Sequence, residues 1–178
     1  MARYLLVDGY NIIFSWDELA KIALDSMPAA RQKLCDILCD YQGIKGKNFI
    51  VLVVFDAHLV EGGLGSVTEY HNITVVYTKE AETADNYIEQ ASKVLSRKDK
   101  VIVATSDNLE QVIIISHGAR RMSAADLLED IRYVKDQLSE RYLNNQPVKN
   151  NPLESLLDKE TAKKLDAMRY GRKPPRKS

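Results

Sequence analysis

The chain has 178 residues, 45% of them apolar and 28% charged, with a formal net charge of zero. That length accommodates one globular domain with a modest extension. The neutral total excludes a bulk electrostatic attraction for nucleic acid and leaves only local basic patches to provide one. No apolar run approaches the roughly 20 residues of a membrane span, and the start Met1-Ala2-Arg3-Tyr4 lacks the regions of a secretory signal, so the expected location is the cytoplasm, with no membrane partner.

The first predicted element is a strand over residues 4–7, Tyr4-Leu5-Leu6-Val7, which ends in Asp8-Gly9-Tyr10-Asn11. A short, continuous apolar run bounded by turn residues fits a strand buried on both faces, and Gly9 is expected to let the chain turn tightly after it. Residues 11–23 read as mostly helical. A second helix is expected over 29–41, capped by Asp25 or Ser26, with Leu34, Ile37, Leu38 and Tyr41 as its apolar stripe. Cys35 and Cys39, the two cysteines, share one face of it and read as small buried hydrophobes, with no disulfide framework implied. Residues 49–55 form the strongest strand pattern, suited to the sheet centre, and end in Asp56. The stretch 61–66 reads as a glycine-rich loop without the Gly-Lys-Ser/Thr ending of a phosphate-binding loop.

A third strand is expected over 73–77 and a helix over 83–97 with Thr83 as N-cap. A fourth strand over 101–105 leads into Ser106-Asp107-Asn108. A short apolar helix over 109–116 stops at His117-Gly118, a brief strand covers 119–122, and Ser123 caps a long helix over 124–142. Asn144-Asn145-Gln146-Pro147 breaks the pattern. The expected domains are therefore 1–146 and a helical, basic extension over 147–178. Strands alternating with helices point to an α/β fold of three layers, α/β/α, around a mostly parallel sheet of about five strands.

Three predicted strand ends carry acids, Asp8, Asp56 and Asp107, and Asp85 lies in the first turn of the helix after the third strand. In a parallel sheet, strand ends and the following helix starts share one edge, so Asp8, Asp85 and Asp107 can converge there. Clustered carboxylates repel unless a cation neutralises them, and hard ions such as Mg²⁺ or Mn²⁺ suit oxygen donors. His58, His71 and His117 are too scattered for a zinc site. Each acid also has an ordinary structural use: Asp8 in a turn, Asp85 at a helix dipole, Asp107 as an N-cap.

The ordered set Asp8-Gly9-Tyr10-Asn11, Phe55-Asp56-Ala57, Glu82-Thr83-Ala84-Asp85 and Ala104-Thr105-Ser106-Asp107 resembles the signatures of the NYN domain, a family of PIN-like metal-dependent ribonucleases. Gly118-Ala119-Arg120-Arg121-Met122-Ser123-Ala124-Ala125-Asp126-Leu127-Leu128 is similar to its YacP-like branch of ribosome-associated endoribonucleases. The resemblance covers about residues 3–143. It implies a PIN-like fold and Mg²⁺- or Mn²⁺-assisted cleavage of RNA, with Asp8, Asp85 and Asp107 as metal-binding acids. Asn11 would help hold the first acid and a metal-bound water, Asp56 would be a further ligand of more variable role, and Glu82 would stand behind them. Asn108 departs from the aromatic usual after the last acid.

The resemblance also implies messenger RNA, cut in the ribosomal A site, as the substrate, with RNA and the ribosome as partners. Water rather than the 2′-hydroxyl would attack, leaving a 5′-phosphate and a 3′-hydroxyl. Arg120, Arg121, Arg132 and the tail residues Arg172 and Lys173 are the expected phosphate contacts. Tyr10 either stacks on a base or packs beneath the first turn. Two alternatives are a non-catalytic RNA- or ribosome-binding module, which would need no Mg²⁺ or Mn²⁺, and a toxin-type tRNA endonuclease, which would cut deproteinised tRNA. Sequence leaves oligomeric state and cleavage specificity open.

Overall fold

A computed structural model describes residues 1–56, 64–79, 82–106 and 118–144. Its frame is a six-stranded sheet built from β1 (Arg3–Asp8), β2 (Phe49–Phe55), β3 (Leu64–Tyr70), β4 (Ile73–Lys79), β5 (Lys100–Ala104) and β6 (Arg120–Met122), in the order β3-β4-β2-β1-β5-β6. All neighbouring pairs are parallel except β3 with β4. The continuous apolar runs occupy the interior positions, as strands covered on both faces must: Leu5, Leu6 and Val7 of β1 and Val51, Val53, Val54 and Phe55 of β2 are fully buried.

Two helical layers cover the sheet. On one face lie α1 (Gly9–Ser15), α2 (Asp17–Asp25), α3 (Met27–Lys45) and α5 (Ala124–Asn144), whose Ile12, Ile13, Leu34, Leu38, Leu127 and Ile131 share a core with Leu5, Val7, Val51, Val53 and Phe55. On the other lies α4 (Ala84–Leu95), whose Ala84 and Ile88 join Leu6, Val54, Val76, Val101 and Val103. The chain leaves β1 toward β2 through α1–α3 and returns from β4 to β5 through α4. Crossovers that run in opposite directions and keep one hand must use opposite faces, which is the arrangement found. Met1–Leu138 forms one compact unit, and the chain from Ser139 onward is not part of it.

The expected mostly parallel α/β sheet is present, with two corrections. It has six strands, because Leu64–Tyr70, expected in part as a glycine-rich loop, is an antiparallel strand. A two-residue turn, His71-Asn72, joins it to β4, with His71 in the left-handed region at φ 52°. Finally, the helix expected over 11–23 is two helices, α1 and α2, broken at Trp16. The Trp16 backbone is extended, its ring is buried, and its indole N–H donates to the Ala124 carbonyl at 2.8 Å. A buried indole needs such a partner, and meeting it turns the chain out of the first helix. The short helix expected over 109–116, and His58 and His117, lie outside the described residues. Among the described residues, no helix is long and apolar enough to cross a membrane.

Candidate active site

β1 is where the strand order reverses: the chain proceeds from it to β2 on one side and comes back to β5 on the other. Ligands of open α/β sheets bind beyond the carboxyl ends of the strands at such a point. Asp8 stands there. The three residues before it are fully buried, so the carboxylate is the first polar side chain after the buried run. It is itself 8% exposed and caps α1, accepting a hydrogen bond from the Asn11 backbone N–H at 3.1 Å. Asn11 thus steadies Asp8 through its backbone.

Gly9 is explained by contact rather than by a left-handed turn. Its φ is not positive, but a Cβ there would lie 2.2 Å from the Phe55 ring. The ring closes over the start of α1, and only glycine leaves room for it.

The Asn11 side chain reaches the other way. Its Oδ1 accepts from the Ser106 backbone N–H at 2.8 Å. Ser15 Oγ donates to the Asn11 carbonyl at 2.7 Å and lies 3.2 Å from Ser106 Oγ. The first helix is therefore latched to the end of β5, at the residue that precedes Asp107. Ser15 and Ser106 were not singled out by sequence reasoning. The signal available was a hydroxyl residue directly before an acid at a strand end.

Register places the remaining groups. Val7 pairs with Ala104 and Asp8 with Val54, so Ser106 and the half-buried Asp56 both lie just past Asp8 along the same edge. Asp85 is exposed in the first turn of α4. Thr83 caps that helix, accepting from the Asn86 N–H at 3.3 Å. A helix that links parallel strands β4 and β5 starts at the edge where β4 ends, so Asp85 and Glu82 belong to the edge that carries Asp8. Asp107 lies outside the described residues. Among the described residues, no group of three or more His, Cys, Asp or Glu side chains is arranged to hold a metal ion. Among the described residues, the donors that the edge offers are carboxylate, amide and hydroxyl oxygens, and that chemistry fits a hard divalent cation.

Tyr10 packs rather than stacks on a partner. It is 6% exposed, and its ring meets Phe55 edge-on at 5.2 Å. Its hydroxyl accepts from Arg31 Nη1 at 2.9 Å. Burial raises its pKa, Arg31 opposes that shift, and the nearby Tyr77 and Asp56 add to it. The expected basic contacts divide. Arg120 and Arg121 are exposed neighbours on the edge strand β6, so they point to opposite faces and cannot form one patch. Arg132 is exposed on α5, while Arg172 and Lys173 lie outside the described residues.

An open, mostly parallel α/β sheet with a buried acid at its switch point and further acids along the same edge defines a class of fold and site. Comparison narrows it. The YacP-like NYN domain matches residues 5–170, and the chain belongs to that family. It is 41% identical over 138 residues to YacP of Bacillus subtilis (strain 168), described as an uncharacterized protein, covering 77% of this chain and 79% of that one. Crystal structures of Rae1 (YacP) from Bacillus subtilis are similar to this chain. One superposes with a TM-score of 0.67 at 36% identity, over 94% of this chain and 95% of the other. A point mutant gives 0.68 at 34%, over 93% and 99%. Membership in this family is consistent with a ribonuclease.

Proposed function

We propose that this chain is a metal-dependent endoribonuclease that hydrolyses RNA phosphodiester bonds, and that its substrate is messenger RNA engaged in the A site of the translating ribosome. The observation that carries the reading is the nearly buried Asp8 at the point where the sheet order reverses, in a member of the YacP-like NYN domain family. The cap that Asp8 makes on α1 holds this carboxylate in place at the end of the sheet where ligands of such folds bind. The A-site substrate rests on the resemblance alone.

Asp8 and Asp85, with Asp107, would hold Mg²⁺ or Mn²⁺, and Asp56 is the further candidate. Such an ion, when bound, makes water a better nucleophile and stabilises charge on a phosphoryl group. The chain's own residues do the rest. The Asn11 N–H fixes the Asp8 carboxylate, and the Asn11 amide fixes the backbone that leads into Asp107. One helix turn thereby sets Asp8 and the Ser106 backbone. Attack by water would leave a 5′-phosphate and a 3′-hydroxyl.

Mapping RNA 5′ ends in cells that carry either the parent chain or Asp85→Asn, with translation of a reporter allowed or blocked, tests the reading. The expected result is a set of 5′ ends present only with the parent and only when the region is translated. Ends that persist without translation contradict the A-site substrate. Identical ends with both chains contradict the ribonuclease.

A further inference from the structure

Phe14 is a large aromatic left 58% exposed on α1, the helix that fixes the candidate site. At about 100° per residue it lies about 40° around the helix from Tyr10 and about 60° from Asn11. Its flank therefore adjoins the residue that latches Ser106. Its ring is not loose. It stacks on Tyr10, with centroids 6.5 Å apart and planes inclined by 28°. Tyr10 is in turn held by the Phe55 edge and by the Arg31 guanidinium. Phe55, Tyr10 and Phe14 thus form a chain of ring contacts, edge-on then stacked, that ends in the exposed Phe14 on the helix Asp8 caps.

Arg31 supplies the second half. It is half-buried, spends a donor on the neutral Tyr10 hydroxyl, and forms no ion pair among the described residues. A guanidinium has five N–H donors in a planar fork that suits phosphate. An exposed aromatic ring packed on Tyr10, with a guanidinium on the same tyrosine that keeps donors to spare, matches the combination by which single-stranded nucleic acid is held: a base on the ring and a phosphate on the cation.

We propose that Phe14 and Arg31 form a nucleotide subsite beside the catalytic edge, in which Phe14 stacks on a base of single-stranded RNA and Arg31 holds a neighbouring phosphate. The proposal rests on the ribonuclease reading above. Stacking on phenylalanine is indifferent to base identity, so the subsite positions the strand and does not select its sequence. A duplex, whose base faces are covered, gains nothing from Phe14.

Fluorescence anisotropy with a labelled single-stranded 12-mer RNA, in an Asp85→Asn background so that the strand stays intact, tests this. Phe14→Ala is expected to weaken binding about tenfold, and Phe14→Trp to bind at least as well as phenylalanine. Phe14→Leu should fail to restore affinity, and the affinity for the matching duplex should not change. Arg31→Gln should lower the salt dependence by about one phosphate contact, and Arg31→Lys should keep it. Circular dichroism melts of each variant show that the fold is retained. A Phe14→Ala chain that binds single strands as the parent does overturns the subsite, and so does full rescue by leucine. A parent chain that cuts RNA alongside either result leaves the ribonuclease reading standing. A parent that neither binds nor cuts RNA overturns both.

Discussion

Gly9 tolerates no side chain, because the ring of Phe55 occupies the space a Cβ would need. Gly9→Ala is expected to destabilise the chain by about 3 kcal/mol, the upper part of the range for overpacking a core, read as a lower urea midpoint. Phe55→Leu should recover part of that loss in the double variant. A second residue-scale effect concerns Cys35, whose thiol is pushed up to about 12 by burial, aided by Cys39 and Asp36. The folded state therefore holds this proton more tightly than the unfolded one, whose thiol ionises near 9. The contribution is full below that value and fades as pH rises toward about 12. Cys35→Ala should flatten this alkaline loss of stability, measured by denaturation across pH 8 to 11. Asp130 behaves in the opposite sense. Burial raises its pKa, but hydrogen bonds from Lys45, at 2.8 Å, and from Tyr41 together outweigh that, so the pKa is lowered. Its contribution fades as pH falls through the carboxylate range.

At the scale of elements, α4 ties stability to function. Ile88 and Ala84 seat it on β1, β2 and β5, while Thr83 caps the turn that carries Asp85. Thr83→Ala removes the cap and should cost about 1 kcal/mol. It should lower RNA cleavage more than that loss explains, because the frayed turn is the one bearing an acid. Cleavage assays well below the melting temperature, beside thermal melts, separate the two effects, and equal cleavage by the variant and the parent would contradict this role. The elements also show what could be read from sequence. β2 was legible residue for residue, since a seven-residue β-branched and aromatic run bounded by turn residues is shorter than a typical helix and suits a buried strand. The caps Thr83 and Ser123 were legible as well: Ser123 and Asp126 exchange hydrogen bonds at 3.1 Å, each accepting from the other's backbone N–H. β3 was not legible. Its residues 66–69 are exposed on an edge, so they lack the apolar alternation that marks a buried strand, and two glycines upstream read as loop. The break at Trp16 was hidden too, because its cause is the carbonyl of Ala124, 108 residues away.

At the scale of the whole molecule, the site follows from topology. β1 sits between β2 and β5 only because the chain crosses one face outward and the other face back, and that path gathers Asp8, Asp56, Asp85 and Ser106 on one edge from four separate stretches. Sequence could place acids at strand ends without knowing the strand order. It could not foresee that Asn11 would use its side chain on Ser106, or that Tyr10 would be covered while Phe14, four residues on, stays open. Both depend on which elements lie alongside α1. The proposed chemistry has a direct test at Asp85, which is exposed in the first turn of α4. RNA cleavage by the purified parent chain and by Asp85→Asn should be compared in Mg²⁺ or Mn²⁺, with matched melting curves. The account predicts a loss of at least about a hundredfold, of the order seen when one group that stabilises the transition state electrostatically is removed, with 5′-phosphate ends on the parent's products. Cleavage by Asp85→Asn at the parent's rate would contradict it.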